Sequence, residues 1–246
     1  VKKMQQKPAL RALIPTWNPV RFGSDTVKPD AGEQCLMLGG DDRLLTWLRS
    51  APIDVQRLPI AADASIEQIE ALLSAHPFDH LLWFAPETGN DDAASIVSSQ
   101  NAGVLSLFRI VKALTRLDWF ERELKLTVIT RSTQQVFDDE PLSPHHAGVH
   151  GMIGSIAKEL PLWRLRLLDI ESVEDLDAQE ILALPWDAQG RGLAYRCDEW
   201  FRQEFADVSG IPASNAAYKH NGVYVVIGGA GGLGEVWTRH MVAHYG

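Results

Sequence analysis

Residues 228–234 read GGAGGLG and follow the apolar run Val223 to Ile227, VYVVI. Gly229, Gly231 and Gly234 satisfy G-x-G-x-x-G. The first glycine permits a tight turn and the second lets the backbone approach a pyrophosphate. The third lets a helix pack closely on the preceding strand. After it, Val236, Trp237, Met241 and His244 alternate with polar residues at helical spacing, and Gly246 sits where a left-handed residue would stop a helix. A strand, a glycine turn and a helix in this order read as the opening βα unit of a dinucleotide-binding domain. A complete domain of this kind takes roughly another 150 residues of sheet and helix. Its confirming acidic or basic residue, at the end of a second strand, is therefore expected beyond Gly246.

Other groups with chemical potential resolve to ordinary roles. His146 and His150 stand four apart on an expected helix, with His145 beside them, but no third ligand and no H-E-x-x-H accompany them. They read as helix residues, and no metal is expected. Ser155 lacks a surrounding G-x-S-x-G, which removes a hydrolase elbow. The acidic groups Asp91–Asp92 and Asp138–Asp139–Glu140 read as solvated charges or helix starts. Trp47, Trp83, Trp163 and Trp200 lie in apolar periodic segments and read as core.

The remaining composition bounds the class. The 246 residues are enough for one large or two ordinary domains, and 46% hydrophobic content supports a real core. A net charge of −9 argues against nucleic acid and anionic membrane surfaces as partners. No run approaches a membrane span, and the start, VKKMQQKPALRALIP, lacks a signal-peptide core. Cys35 and Cys197, the two cysteines, are far apart without metal-like spacing, the usage of a reduced, cytoplasmic protein.

Between residues 30 and 170 strand and helix alternate. Strands are expected at Gln34–Leu38, Val55–Ile60, His80–Phe84, Lys125–Thr130 and Leu165–Ile170. Helices are expected at Asp41–Ser50, Ala64–His76, Ala93–Leu117 and Pro144–Glu159. Strands separated by such helices imply a parallel sheet covered on both faces. Gly192–Cys197 and Glu199–Phe205 read as two short antiparallel strands. Ala9 to Val20, which has no place in the alternating series, is the expected partner for the strand Val223–Ile227. The fold class is therefore α/β: a truncated Rossmann-like, doubly wound parallel sheet, followed by the first strand and helix of a second Rossmann domain. The first sheet lacks its own cradle. After its opening strand come Gly39, Gly40, Asp41, Asp42 and Arg43, and two carboxylates at a helix start would repel a pyrophosphate.

YKHNGVYVVIGGAGGLGEVWTRHMVAHYG, from Tyr218 to Gly246, resembles the start of the catalytic subdomain of ketoreductase domains in modular polyketide synthases, complex members of the short-chain dehydrogenase/reductase family. HHAGVHGMIGSIAKELPLWRLRLLDIE, from His145 to Glu171, is similar to the structural subdomain that precedes it. RGLAYRCDEWFRQEF, from Arg191 to Phe205, is similar to the strands joining the two. The flavour, notably Trp163, Trp200 and VVIGGAGGLGEVW, resembles synthases whose acyltransferase is a separate protein.

The resemblance implies a structural subdomain, 1–215, that is Rossmann-like and binds no nucleotide, and an NADPH-binding catalytic subdomain beginning at 216–246. It implies reduction of a β-ketoacyl thioester on acyl carrier protein to the β-hydroxyacyl form. It places cofactor binding on Gly228, Gly229, Ala230, Gly231, Gly232, Leu233 and Gly234. Ile227 and Ala230 stand where the family commonly has threonines. No catalytic residue falls within these residues; the family's serine, tyrosine and lysine are expected beyond Gly246. The implied partners are the remainder of the catalytic subdomain, acyl carrier protein and neighbouring synthase domains. The chain alone is then expected to be structural and inactive. The alternative is a non-catalytic pseudo-ketoreductase that organises neighbouring domains.

Overall fold

The structure, a computed structural model, describes residues 12–23, 26, 29–30, 32–174, 176–208 and 218–246. The chain divides into two compact units: residues 15–205, and residues 1–14 together with 206–246.

The sheet is built from β1 (Leu13–Val20), β2 (Gln34–Leu38), β3 (Asp54–Leu58), β4 (His80–Phe84), β5 (Leu124–Arg131), β6 (Trp163–Ile170), β7 (Gly192–Arg196) and β8 (Glu199–Asp207), in the order β1-β8-β7-β6-β5-β4-β2-β3. From β3 to β7 every neighbouring pair is parallel. The β7–β8 hairpin is antiparallel, through a turn at Cys197 and Asp198, both at positive φ. Each parallel crossover carries a helix where the apolar period changes from two to about 3.6. The helices are α1 (Asp42–Leu48), α2 (Ile66–Ser74), α3 (Ala93–Ser99), α4 (Val104–Arg116), α5 (Gly148–Glu159) and α6 (Ala178–Ala183). Ser65 starts α2 with a complete capping box: its hydroxyl accepts from Gln68 N while the Gln68 side chain accepts from Ser65 N.

Alternate residues along the strands feed two separate cores, which is why these strands read as unbroken apolar runs. Leu36, Leu38, Leu81, Trp83, Leu126, Val128, Leu165 and Leu167 face one core, closed by Leu73, Leu107, Leu114 and Ile153 of α2, α4 and α5. Cys35, Met37, Leu82, Phe84, Ile129, Leu168 and Ile170 face the other, closed by Leu48 and Ile181 of α1 and α6.

Two expectations change. The helix expected over Ala93–Leu117 is two helices, α3 and α4, separated at Gln100–Gly103. Gly103 takes a non-helical backbone (φ −89°, ψ −114°), and His146 packs where its Cβ would stand. Nor does the N-terminal stretch partner Val223–Ile227. Leu13–Val20 is instead the edge strand beside β8, where Asn18 Nδ2 donates to Glu204 Oε2 at 2.8 Å; residues 9–11 lie outside the described ones. Among the described residues, no helix is long and apolar enough to cross a membrane.

Candidate functional site

The glycine segment opens α7 (Gly232–Tyr245). Gly228 is at φ +79° and accepts from Gly231 N at 2.9 Å, closing a tight turn. Gly231 is the extended N-cap residue, and no side chain caps the helix. A first turn left open in this way points backbone N–H groups outward, the arrangement that suits an anionic ligand. A Cβ on Gly234 would fall on the Gly228 carbonyl oxygen, so the third glycine is needed for turn and helix to touch. Leu233 is exposed. Gly246 is at φ +98°, and Asn221 N donates to Tyr245 O at 2.7 Å.

The strand expected before this turn does not form. Residues 223–227 pair with no strand, and Val223, Val225 and Ile227 are 98%, 91% and 99% exposed. A strand needs at least one neighbouring strand for its backbone N–H and C=O groups, and none flanks this segment among the described residues. The segment is held instead by an aromatic cluster on α7. Tyr224 lies 6.4 Å from Trp237, and Tyr218 lies within 5.5–6.0 Å of Tyr224, Trp237 and Tyr245.

In the larger unit, the order in which strands are added across the sheet reverses between β2 and β4, the point where open α/β sheets bind ligands at the carboxyl ends of their strands. A cleft of about 300 Å³ opens there, between Gly39–Asp41, Phe84–Glu87 and Thr130–Arg131. Its glycines serve the fold. Gly39 and Gly40 are at positive φ, and their Cβ positions are taken by the Phe84 carbonyl and the Met37 side chain. Asp41 accepts from Leu44 N at 2.9 Å and caps α1; that bond holds its carboxyl below the usual range. The start of α1 is thus occupied by an acceptor side chain that carries a negative charge. Arg131, the cleft's cation, is paired with Glu87 at 3.1 Å.

The three histidines of 145–150 are buried or nearly so, and they separate. His145 meets Asp91 at 3.1 Å and Ser99 at 3.0 Å, and His146 Nε2 meets the Pro86 carbonyl at 3.1 Å. His150 Nε2 meets the hydroxyls of Thr130 and Thr133, each at 3.1 Å. Those hydroxyls donate to Asp169 Oδ1 at 2.6 and 2.8 Å, and Asp169 also accepts from Thr133 N and Gln134 N. Burial drives His150 down to about 4, so the ring is neutral.

A second polar network, at the opposite end and face of the sheet, escaped the sequence reading. Glu33 Oε1 lies 3.1 Å from both His80 Nδ1 and Lys125 Nζ. His80 Nε2 meets Thr127 Oγ1 at 2.9 Å, which also accepts from Arg166 Nη1 at 3.2 Å. Arg166 is fully buried, donates to the Leu184 carbonyl and stacks 3.8 Å from the Trp186 ring centre. Burial lowers His80 to about 4. Burial alone would raise Glu33, but the hydrogen bonds and charges of His80 and Lys125 outweigh it and hold it near 2. No short motif joins residues 33, 80, 125 and 166. Parallel pairing of β2, β4, β5 and β6 brings them together.

A six-stranded parallel core, extended by an antiparallel hairpin, defines a Rossmann-like α/β protein with the fold of ketoreductase domains. It overlays the ketoreductase-containing structure of a keto acid-selecting nonribosomal peptide synthetase module with a TM-score of 0.75 at 17% identity, over 98% of this chain and 22% of that one. The first ketoreductase of the tylosin polyketide synthase gives 0.65 at 22% identity, over 94% and 48%. In sequence, the chain is 36% identical over 236 residues to polyketide synthase PksN of Bacillus subtilis, covering 95% of this chain and 4% of that protein. No protein-family model matches the chain. The chain is a homologue of polyketide synthases and matches a ketoreductase domain within them, of whose full length it spans a small fraction.

Proposed function

We propose that residues 1–215 are the structural subdomain of a polyketide synthase ketoreductase and that residues 216–246 open its catalytic subdomain. The parent domain reduces a β-ketoacyl thioester carried on acyl carrier protein to the β-hydroxyacyl form with NADPH. In this reading residues 15–205 brace the catalytic subdomain and bind no nucleotide themselves. Gly228, Gly229, Ala230, Gly231, Gly232, Leu233 and Gly234 receive the cofactor pyrophosphate at the start of α7. The nicotinamide supplies the hydride; these glycines only admit and orient the phosphates, and the proton donor lies outside these residues. The observation that carries the reading is the glycine turn on an uncapped helix start, following in sequence a sheet whose own first helix is capped by the Asp41 carboxylate. The remaining partners are the rest of the catalytic subdomain and neighbouring synthase domains.

The test uses the chain within a complete ketoreductase domain, assayed for NADPH oxidation with a β-ketoacyl thioester. Turnover that falls at least tenfold at subsaturating NADPH in Gly231→Ala supports the reading. A complete, folded domain without turnover and without NADPH binding overturns it in favour of a non-catalytic scaffold.

A further inference from the structure

Glu33, Cys35 and His80 bring a ligand atom each close together at the amino-terminal end of the parallel sheet. A carboxylate oxygen, the thiol sulfur and an imidazole nitrogen all lie within 4.8 Å of one another, and all three residues are buried. The placement follows from the sheet. Cys35 and His80 are register partners across β2 and β4, on the face shared with Met37 and Leu82, and Glu33 immediately precedes β2. From these positions we propose that Glu33, Cys35 and His80 form a binding site for a zinc-class divalent ion, with a fourth position left to water.

The donor set is the mixture of sulfur, nitrogen and oxygen that a borderline-soft ion such as zinc accepts, whereas calcium and magnesium require oxygen alone. One carboxylate and one thiolate bring the ion's formal charge to zero, which suits a buried position. His80 is already oriented as a ligating histidine must be, with one nitrogen facing Glu33 and the other held by the Thr127 hydroxyl at 2.9 Å. That hydroxyl can donate or accept, so the ring can move its proton to Nε2 and free the Nδ1 lone pair without losing its partner. Arg166 reaches this group through Thr127, on the Nε2 side of the ring.

Access comes from a cleft of about 350 Å³ lined by Glu33, His80, Lys125 and Trp186. Lys125 is the competing cation at Glu33. It also contacts Asp30 at 2.9 Å, so it can yield Glu33 and remain paired. On binding, the Cys35 S–H bond breaks, a sulfur–metal bond forms, and the proton leaves to water in the cleft.

The test titrates zinc into the metal-free chain by calorimetry and follows cobalt(II) by absorption. The background is Cys197→Ser, which removes the exposed thiol. The expected result is one equivalent bound with Kd of about 1 μM or tighter, with a cobalt–thiolate charge-transfer band. Cys35→Ser should abolish the band, and Glu33→Gln, which keeps the thiol and side-chain shape, should weaken zinc at least tenfold while retaining the native circular dichroism spectrum. A charge-transfer band that survives Cys35→Ser, zinc affinity unmoved in folded Glu33→Gln, or no saturable binding to the parent chain overturns the site.

Discussion

Arg196 Nη2 lies 2.6 Å from Asp169 Oδ2, with both side chains withdrawn from solvent, and the pair joins β7 to β6 at the carboxyl end of the sheet. The same guanidinium donates to Glu140 at 2.6 Å and to the Gln134 and Asp169 carbonyls at 3.0 Å. Burial opposes the Asp169 charge, but hydrogen bonds from Thr130, Arg196 and Thr133 keep its carboxyl below the usual range.

Removing one partner of such a pair leaves an uncompensated buried charge. Arg196→Met should cost about 3–5 kcal/mol of unfolding free energy, and adding Asp169→Asn should recover part of it. Urea unfolding of the two single variants and the double variant checks this; additive losses would mean that the two side chains do not act as a pair.

His80 and His150 both sit near 4 when folded, against 6.5 when exposed, because burial disfavours their charged forms. Between those values the unfolded chain holds more protons than the folded one, so stability must fall as pH drops from 6.5 toward 4. The full shift corresponds to a loss on the order of 3 kcal/mol per histidine. Urea midpoints across this range should show a clear decline, and His150→Gln should make it shallower. Glu33, held near 2, stays ionised throughout the window and adds its own loss only below about 4.5.

Gly39→Ala should destabilise the larger unit by about 1–3 kcal/mol, since it combines a positive φ with a collision against the Phe84 carbonyl. Asp41→Ala removes only the cap of α1 and should cost about 1 kcal/mol. Neither should create NADPH binding at the switch point. Thermal melts give the first two quantities, and fluorescence titration with NADPH gives the third.

The 246-residue chain by itself should bind NADPH more weakly than about 1 mM and should not oxidise it with a β-ketoacyl thioester. One helix start and one glycine turn contribute about 3–4 kcal/mol, which is millimolar affinity. Calorimetry showing micromolar binding, or any thioester-dependent NADPH consumption, would contradict this.

A chain ending near Ala217 should keep a cooperative thermal transition, because the two buried cores are built within residues 15–205. Loss of that transition would make residues 218–246 part of the cores.

Local signals in the sequence fared according to how local their cause was. His80–Phe84 and Gln34–Leu38 are strands with the expected bounds, because an apolar run of that length has few other uses in an alternating chain. VYVVI has the composition of a central strand and yet forms none, since strand pairing depends on neighbours that composition does not supply. The break before Gly103 and the Glu33–His80–Lys125 group were invisible for a related reason. Each is created by residues more than forty positions away, His146 in one case and the parallel register in the other.

The pairing of the edge strand β1 with β8 also sets a timetable. Asn18 reaches its partner Glu204 across 186 residues. At a ribosome adding about 5–20 residues each second, the first strand waits roughly 10–40 s before its neighbour exists. Throughout that interval β1 is a free edge on a growing polypeptide, able to meet any other nascent strand. Its own sequence is suited to the delay: Pro15 and Pro19 interrupt the donors that a stray partner would need.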